Sequence, residues 1–319
     1  MENNTWYDCF LEALYERYPQ KSQLTEALMD LLSIEREAVY RRLRNDVIFP
    51  SGEIAKIASA WNISLDKIVG ANSKEITFKT YLWNYLNPSR EELNHMRFLV
   101  EDSEYTRNFP NVECMEISNR LPRMLTSGFP YINRFHLLRW MDQYIHEKAL
   151  PFSKTAYPEK VAELSSLYYM VSKTLANVSF IWDYNLFSYL LSDIRYFHSI
   201  YLITDEEKEL IKEDLYALLD YMSEVAEKGC WPETGNKVNL YISYLSIDTN
   251  YSYYYSDNIK FCCVHAFAKN ELYTADSIMV ENFRNWMQSK KKASVQISEA
   301  DEKSRIEFFM KQRQIIDEL

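Results

Sequence analysis

Glycine and proline are scarce: the 319 residues hold five glycines and nine prolines, about 4% of the chain where average usage is nearer 12%. Gly-rich nucleotide loops and turn-dense all-β folds therefore have little raw material, and a mainly helical chain is expected. Long apolar runs are missing too. No uncharged stretch reaches a dozen residues, whereas a membrane-spanning helix needs about twenty apolar ones. Even the most apolar region, Leu164 to Ile203, is interrupted by Lys173, Asp183, Asp193 and Arg195, and reads as buried core. The start, MENNTWYDCF, lacks the basic and apolar regions of a secretory leader, so a cytoplasmic location is expected.

Cysteine is used sparingly. Cys9, Cys114 and Cys230 stand alone and Cys262 and Cys263 are adjacent, a pattern that suits neither a zinc site nor an ordinary disulfide. The five histidines, His95, His136, His146, His198 and His265, show no metal-ligand spacing, so no metal and no cofactor is expected and each reads as structural. No nucleophile elbow, phosphate loop or dinucleotide fingerprint is present. Carboxylates are plentiful, but the sequence pairs no two of them as acid and base, so the chain is not expected to be an enzyme. A cavity with converging polar groups and displaced pKa values would reverse that expectation; a dry aromatic core would reinforce it.

What is there is 47% apolar residues in a chain long enough for two folding units. The net charge of −10 argues at first against a nucleic-acid partner, but it is unevenly spread. Residues 1–74 carry 9 Lys+Arg against 11 Asp+Glu, leaving 27 against 35 for the remainder. Between Arg36 and Arg44 four arginines face one acid, Glu37.

Apolar spacing in the first 70 residues predicts five short helices: Trp6 to Tyr18, Leu24 to Leu32, Ala38 to Leu43, Ile54 to Trp61, and Ser64 to Gly70. Breaks fall at Pro19, Ser33-Ile34, Asn45-Asp46, Pro50-Ser51-Gly52 and Asn62, and Ala71 to Lys74 reads as a linker. Residues 75–319 form the second predicted domain. From Ile76 to Gly229 the pattern stays helical, with capping-box signatures at Ser89-x-x-Glu92 and Thr204-x-x-Glu207 and an apolar stripe at Ile211, Leu215, Leu218, Met222 and Val225. From about 237 to 297 a small antiparallel sheet is expected, with strands at Val238 to Tyr244, Tyr251 to Tyr255, Ile259 to Ala268 and Ala293 to Ile297, and a helix from Ser277 to Lys290. A terminal helix capped from Ser298 completes an architecture that is mainly α with a minor α+β end.

The spacing of the second and third helices is that of a helix-turn-helix. Leu24, Leu28 and Leu32 make the inner face of the first motif helix, Ile34 fills the turn, and Val39 and Leu43 face inward from the next. Its outer face carries Arg36, Glu37, Tyr40, Arg41 and Arg44. The segments Thr25 to Ile34, Glu35 to Asn45 and above all Ile54-Ala-Lys-Ile-Ala-Ser-Ala-Trp-Asn-Ile-Ser-Leu-Asp-Lys-Ile-Val-Gly70 resemble the helix-turn-helix domains of the lambda-repressor and Cro type, the XRE family. The likeness covers roughly the first quarter of the chain. The layout as a whole is similar to uncharacterised regulators of Bacteroides-like bacteria and names no ligand.

The resemblance implies a sequence-specific regulator of transcription, bacterial and dimeric, that sets its recognition helix in the major groove of double-stranded DNA on an inverted repeat. Arg36 and Arg41 would meet base edges, Arg42 and Arg44 phosphates, Glu37 a cytosine amino group, and Tyr40 a phosphate or thymine methyl. Thr25 stands where the family has Gln, and would be limited to a phosphate. Further departures are Met29 for Ala, Ser33 for Gly, Glu35 for Ser or Thr, and Leu43-Arg44-Asn45 for Glu-x-Gly; Asn45 is able to replace Gly in a left-handed turn. The larger domain would dimerise and respond to a small-molecule or protein effector. Aromatics on the expected sheet, Tyr241, Tyr244, Tyr253 and Tyr255 among them, are candidates for a ligand or dimer surface; Tyr251, Tyr254, Phe261 and Phe267 lie beside them. The alternative is a protein-interaction module that uses the same helices without reading DNA.

Overall fold

The computed structural model describes residues 6–69, 76–83, 87–109, 111–144, 150–155, 157–266 and 269–319. The chain divides into two compact units, Met1–Glu75 and Ile76–Leu319. His146, Phe267, the Gly70 cap and the linker at Ala71 to Lys74 lie outside the described residues.

The first unit consists of α1 (Trp6–Arg17), α2 (Lys21–Leu32), α3 (Arg36–Leu43), α4 (Ser51–Trp61) and α5 (Leu65–Ile68). One core joins them, built from Phe10, Leu14, Leu24, Leu28, Val39 and Ile57. The Tyr7 hydroxyl donates to the Arg42 carbonyl (3.3 Å) and accepts from the Phe49 amide (3.1 Å), tying α1 to the segment after α3. Three chain reversals use left-handed residues other than glycine: Ser33 (φ 55°), Asn45 (φ 62°) and Asn62 (φ 54°). A left-handed asparagine costs less than most residues there, because its short polar side chain bonds locally.

The second unit overturns the expected small antiparallel sheet. Its elements are α6 (Pro88–Thr106), β1 (Glu113–Ser118), α7 (Arg123–Thr126), α8 (Pro130–Tyr144), α9 (Glu159–Ser172), β2 (Asn177–Asp183), α10 (Ser188–Ser199), α11 (Asp205–Lys228), β3 (Lys237–Ser243), β4 (Tyr251–Tyr255), β5 (Lys260–His265), β6 (Glu271–Thr274), α12 (Ser277–Lys292), β7 (Val295–Gln296) and α13 (Glu302–Asp317). The strands make a seven-stranded mixed sheet, ordered β6-β5-β4-β1-β2-β3-β7. Its centre is parallel, with β2 between β1 and β3, and two of these strands lie in the stretch read as helical. The physical reason is burial on both sides. Six of the seven β2 residues are buried, and such a strand is a near-continuous apolar run without the two-residue alternation that betrays a half-exposed one.

Side chains alternate across the sheet. Val178, Phe180 and Trp182 on β2 and Val238, Leu240 and Ile242 on β3 face the main core, with Leu191 of α10, Leu218 of α11 and Phe308 of α13. On the other face Met115, Ile181 and Tyr253 pack with Val280, Phe283 and Met287 of α12. At α11 the capping box forms as spaced: the Glu207 amide donates to the Thr204 hydroxyl (3.2 Å) and the Thr204 amide to the Glu207 carboxylate (2.9 Å). Ser89 caps nothing of the kind. Asn87 is the N-cap of α6, which leaves Glu92 free for a buried ion pair. The last helix is likewise capped by Asp301, not Ser298.

Candidate functional site

Two places in the chain concentrate polar chemistry, one in each unit. In the first unit, α3 buries Val39 and Leu43, and this anchoring turns its remaining side chains outward. Arg36 and Arg44 are well exposed, at 57% and 52% of their side chains, against 15% for Arg42. Arg41 is exposed and its guanidinium has no hydrogen bond or ion pair among the described residues. Glu37 lies 3.4 Å from Arg44, which also meets Asp46 at 3.0 Å, and Arg36 stands 3.9 Å from Glu26. Pairs this exposed are weak and yield readily to a phosphate or water. Tyr40 is half-buried with the Lys21 ammonium 5.5 Å above its ring.

Two expected contacts are placed elsewhere. Thr25 is buried and its hydroxyl donates to the Lys21 carbonyl at 2.7 Å, a bond internal to α2. Arg42 clasps Glu53 of α4 with both Nε (2.7 Å) and Nη2 (3.0 Å), while Nη1 reaches the Ala38 carbonyl (3.1 Å). Such a two-pronged pair is a strut between α3 and α4. Neither side chain faces solvent as a phosphate contact would require.

In the second unit a cavity of about 860 Å³ lies against the β1-β4-β5-β6 half of the sheet, on its main-core face. Strand register explains its floor. Glu116 of β1 stands opposite Ser252 of β4, and Cys114 opposite Tyr254; Tyr254 continues to Phe261 on β5, and His265 pairs with Glu271 on β6. Alternation thus turns Cys114, Glu116, Tyr254, Phe261, His265 and Glu271 into the same space. Over the β2-β3 half, apolar side chains from α10, α11 and α13 fill this layer. Here α6, α7 and α8 present Asp102, His95, Arg123, His136 and Arg139 instead. The cavity lies over the side of the sheet that β4 to β6 add to β1 by antiparallel pairing, away from the parallel β2 and β3.

Electrostatics in this space are far from ordinary. Burial pushes the Asp102 carboxyl up to about 6. Those of Glu116 and Glu271 rise to about 7, chiefly by desolvation against the cavity wall although Glu271 itself is exposed; each is raised further by a neighbouring carboxylate, while the Ser118 hydroxyl, 2.6 Å from Glu116, pulls the other way. His95 is held down at about 3 by burial and by the charges of Arg123 and His265. His136 is also far below its usual range, through burial and then Arg139, Arg123 and Arg120. The Cys114 and Cys263 thiols are pushed up by burial and neighbouring carboxylates, which leaves them poor nucleophiles. Groups that titrate near neutrality are able to exchange protons with a bound molecule. Compared with family models, with curated proteins and with solved structures, the chain matches none of them.

None of the cavity's titrating groups was singled out as a site by the sequence. His95, His136 and His265 carry no mutual spacing, and the carboxylates come from two strands and a helix far apart in the chain. Among the described residues no three His, Cys, Asp or Glu side chains come close enough to hold a metal ion. The aromatic candidates divide by face. Tyr254 and Phe261, stacked at 4.7 Å, line the cavity. Tyr241, Tyr253 and Tyr255 point to the α12 side: Tyr253 donates to Glu113 (2.6 Å), Tyr241 to Gln296 (3.3 Å) and Tyr255 to Glu281. They are part of the packing there. Tyr244 is 56% exposed beside Tyr184.

Proposed function

We propose that the chain is a DNA-binding regulator of transcription whose first unit sets α3 in the major groove. One observation carries the reading: the exposed side of α3 presents Arg36, Arg41 and Arg44 while the opposite side is locked into the core by Val39 and Leu43. Arg41, with no partner among the described residues, is the foremost candidate for guanine recognition, since a guanidinium donates two hydrogen bonds to the acceptors O6 and N7. Arg36 is a second base-edge candidate and Arg44 a phosphate contact. A single such unit reaches few phosphates, so a dimer on half-sites one helical turn apart is part of the proposal, as is a cytoplasmic location. Among the described residues no helix is long and apolar enough to cross a membrane.

The test is binding of the full chain to random duplexes across a salt series, followed by selection from a random library. Phosphate neutralisation gives a steep loss of affinity with salt, and selected sequences should form an inverted repeat. Replacing Arg41 by Ala should weaken the selected site by about 1–3 kcal/mol and relax preference at one base pair. Equal weakening on every duplex would make Arg41 a phosphate clamp. Val47 and Ile48, exposed just after α3, favour a second reading in which the same surface binds a protein; affinity for that partner with a shallow salt dependence, and no DNA retention at low salt, would select it. The cavity supports an enzymatic reading of the second unit as well, through carboxyl groups poised near neutrality.

A further inference from the structure

The cavity's charges are not evenly compensated. Its inner cations are engaged inside the fold, Arg123 (2.7 Å) and Lys269 with Glu92 and Arg139 with Asp193 at 2.6 Å, while Arg120, in the opposed fields of Arg139 and Asp193, and Lys260, over the Tyr255 ring, are exposed. The carboxyl groups are not so engaged. Asp102 and Glu271 make no side-chain hydrogen bond or ion pair among the described residues, and Glu116 receives only the Ser118 hydroxyl. The three stand on α6, β6 and β1; Asp102 raises Glu271 and Glu271 raises Glu116, yet they are too dispersed to close on one metal ion. Other groups around them, Cys114, Tyr168 and Cys263, raised by burial and then by these carboxylates, and Tyr254, raised first by Cys114 and then by burial, are neutral and add no charge. His265 stands across from Glu271.

Three separated carboxyl groups with no cation on them among the described residues, in a space of about 860 Å³ whose inner lysine and arginines are already paired, suit an extended positive molecule beside the stacked aromatic rings better than a point ion. We propose that this cavity binds a small organic cation with two or more protonated nitrogens, received by Asp102, Glu116 and Glu271, with its carbon frame against Tyr254 and Phe261. Carboxylates supply charge-assisted hydrogen bonds to ammonium groups, and ring faces attract the cation's flanks. Because Glu116 and Glu271 are raised to about 7, a cation that favours their ionised forms should release protons at that pH on binding. This inference is independent of the DNA-binding reading.

Calorimetric titration of the full chain tests it, with spermidine as the probe, 1,8-octanediol as an uncharged chain of similar length, and citrate as an anion. Spermidine should bind at one site, octanediol and citrate should not, and heats measured in Tris and in HEPES at pH 7 should differ by the buffer's uptake of released protons. Affinity should fall at least tenfold from pH 8 to pH 6. The double substitution Glu116→Gln, Glu271→Gln keeps shape and the Ser118 bond, and should weaken spermidine binding at least tenfold. Should that variant fail to fold, Glu271→Gln alone carries the test, since its side chain makes no hydrogen bond or ion pair among the described residues. Absence of spermidine binding, preference for citrate, heats that do not depend on buffer, or unchanged affinity in a folded variant would each overturn the proposal.

Discussion

Replacing Glu92 by Ala should cost the second unit about 3–5 kcal/mol in urea unfolding, the usual penalty when one member of a buried ion pair is removed and its partners stay behind. Glu92 is fully buried on α6 and holds two cations, Arg123 of α7 at 2.7 Å and Lys269, which precedes β6. Three separate elements of the cavity wall thus share one carboxylate. Because the deficit is an uncompensated charge, its origin can be separated from lost packing. Adding Arg123→Met to Glu92→Ala should recover part of the stability, since one stranded guanidinium disappears. If the second substitution instead added its own full cost, packing and not charge would be what Glu92 supplies.

Helices that present one apolar face to a core could be read from the sequence because their periodicity is local. In α11, Ile211, Leu215, Leu218, Met222 and Val225 are all buried, Thr204 and Glu207 close the capping box, and Gly229 ends the helix at φ 64°. In the first unit Leu24, Leu28, Val39 and Leu43 are buried for the same reason. The central sheet was hidden because β2 is covered on both faces, and because β1 carries Glu116 toward a cavity where a core strand would carry an apolar residue. The cavity itself depends on pairings that no local pattern encodes. Glu271 meets the field of Asp102 only after β6 joins β5 and α6 comes to line the same cavity. On α3, spacing gave the exposed arginines, but whether Arg42 faced a phosphate or Glu53 depended on where α4 would lie.

Stability against pH should reveal Lys173, a lysine wholly buried at the end of α9. Its ammonium donates to the Met124 carbonyl at 3.0 Å and lies over the rings of Trp231 (4.0 Å), Tyr169 (4.4 Å) and Tyr221 (5.4 Å). Burial nevertheless lowers its pKa to about 7, with the charge of Glu233 opposing. Between pH 7 and 10.5 the unfolded chain therefore holds a proton that the folded chain has released, so stability must climb with pH across that window and be lost as pH falls through 7. By linkage a displacement from 10.5 to about 7 amounts to about 4–5 kcal/mol over that window, an upper figure because the cation–π contacts favour the charged form. Met has nearly the same shape without charge or donor, so Lys173→Met removes this slope and forfeits the bond to Met124, worth about 1 kcal/mol. The two dependences must then converge: the variant should be clearly the more stable protein at pH 6, and that advantage should vanish by about pH 10. Chemical denaturation of both proteins at those two pH values decides the matter, and parallel curves would mean that Lys173 keeps its proton throughout.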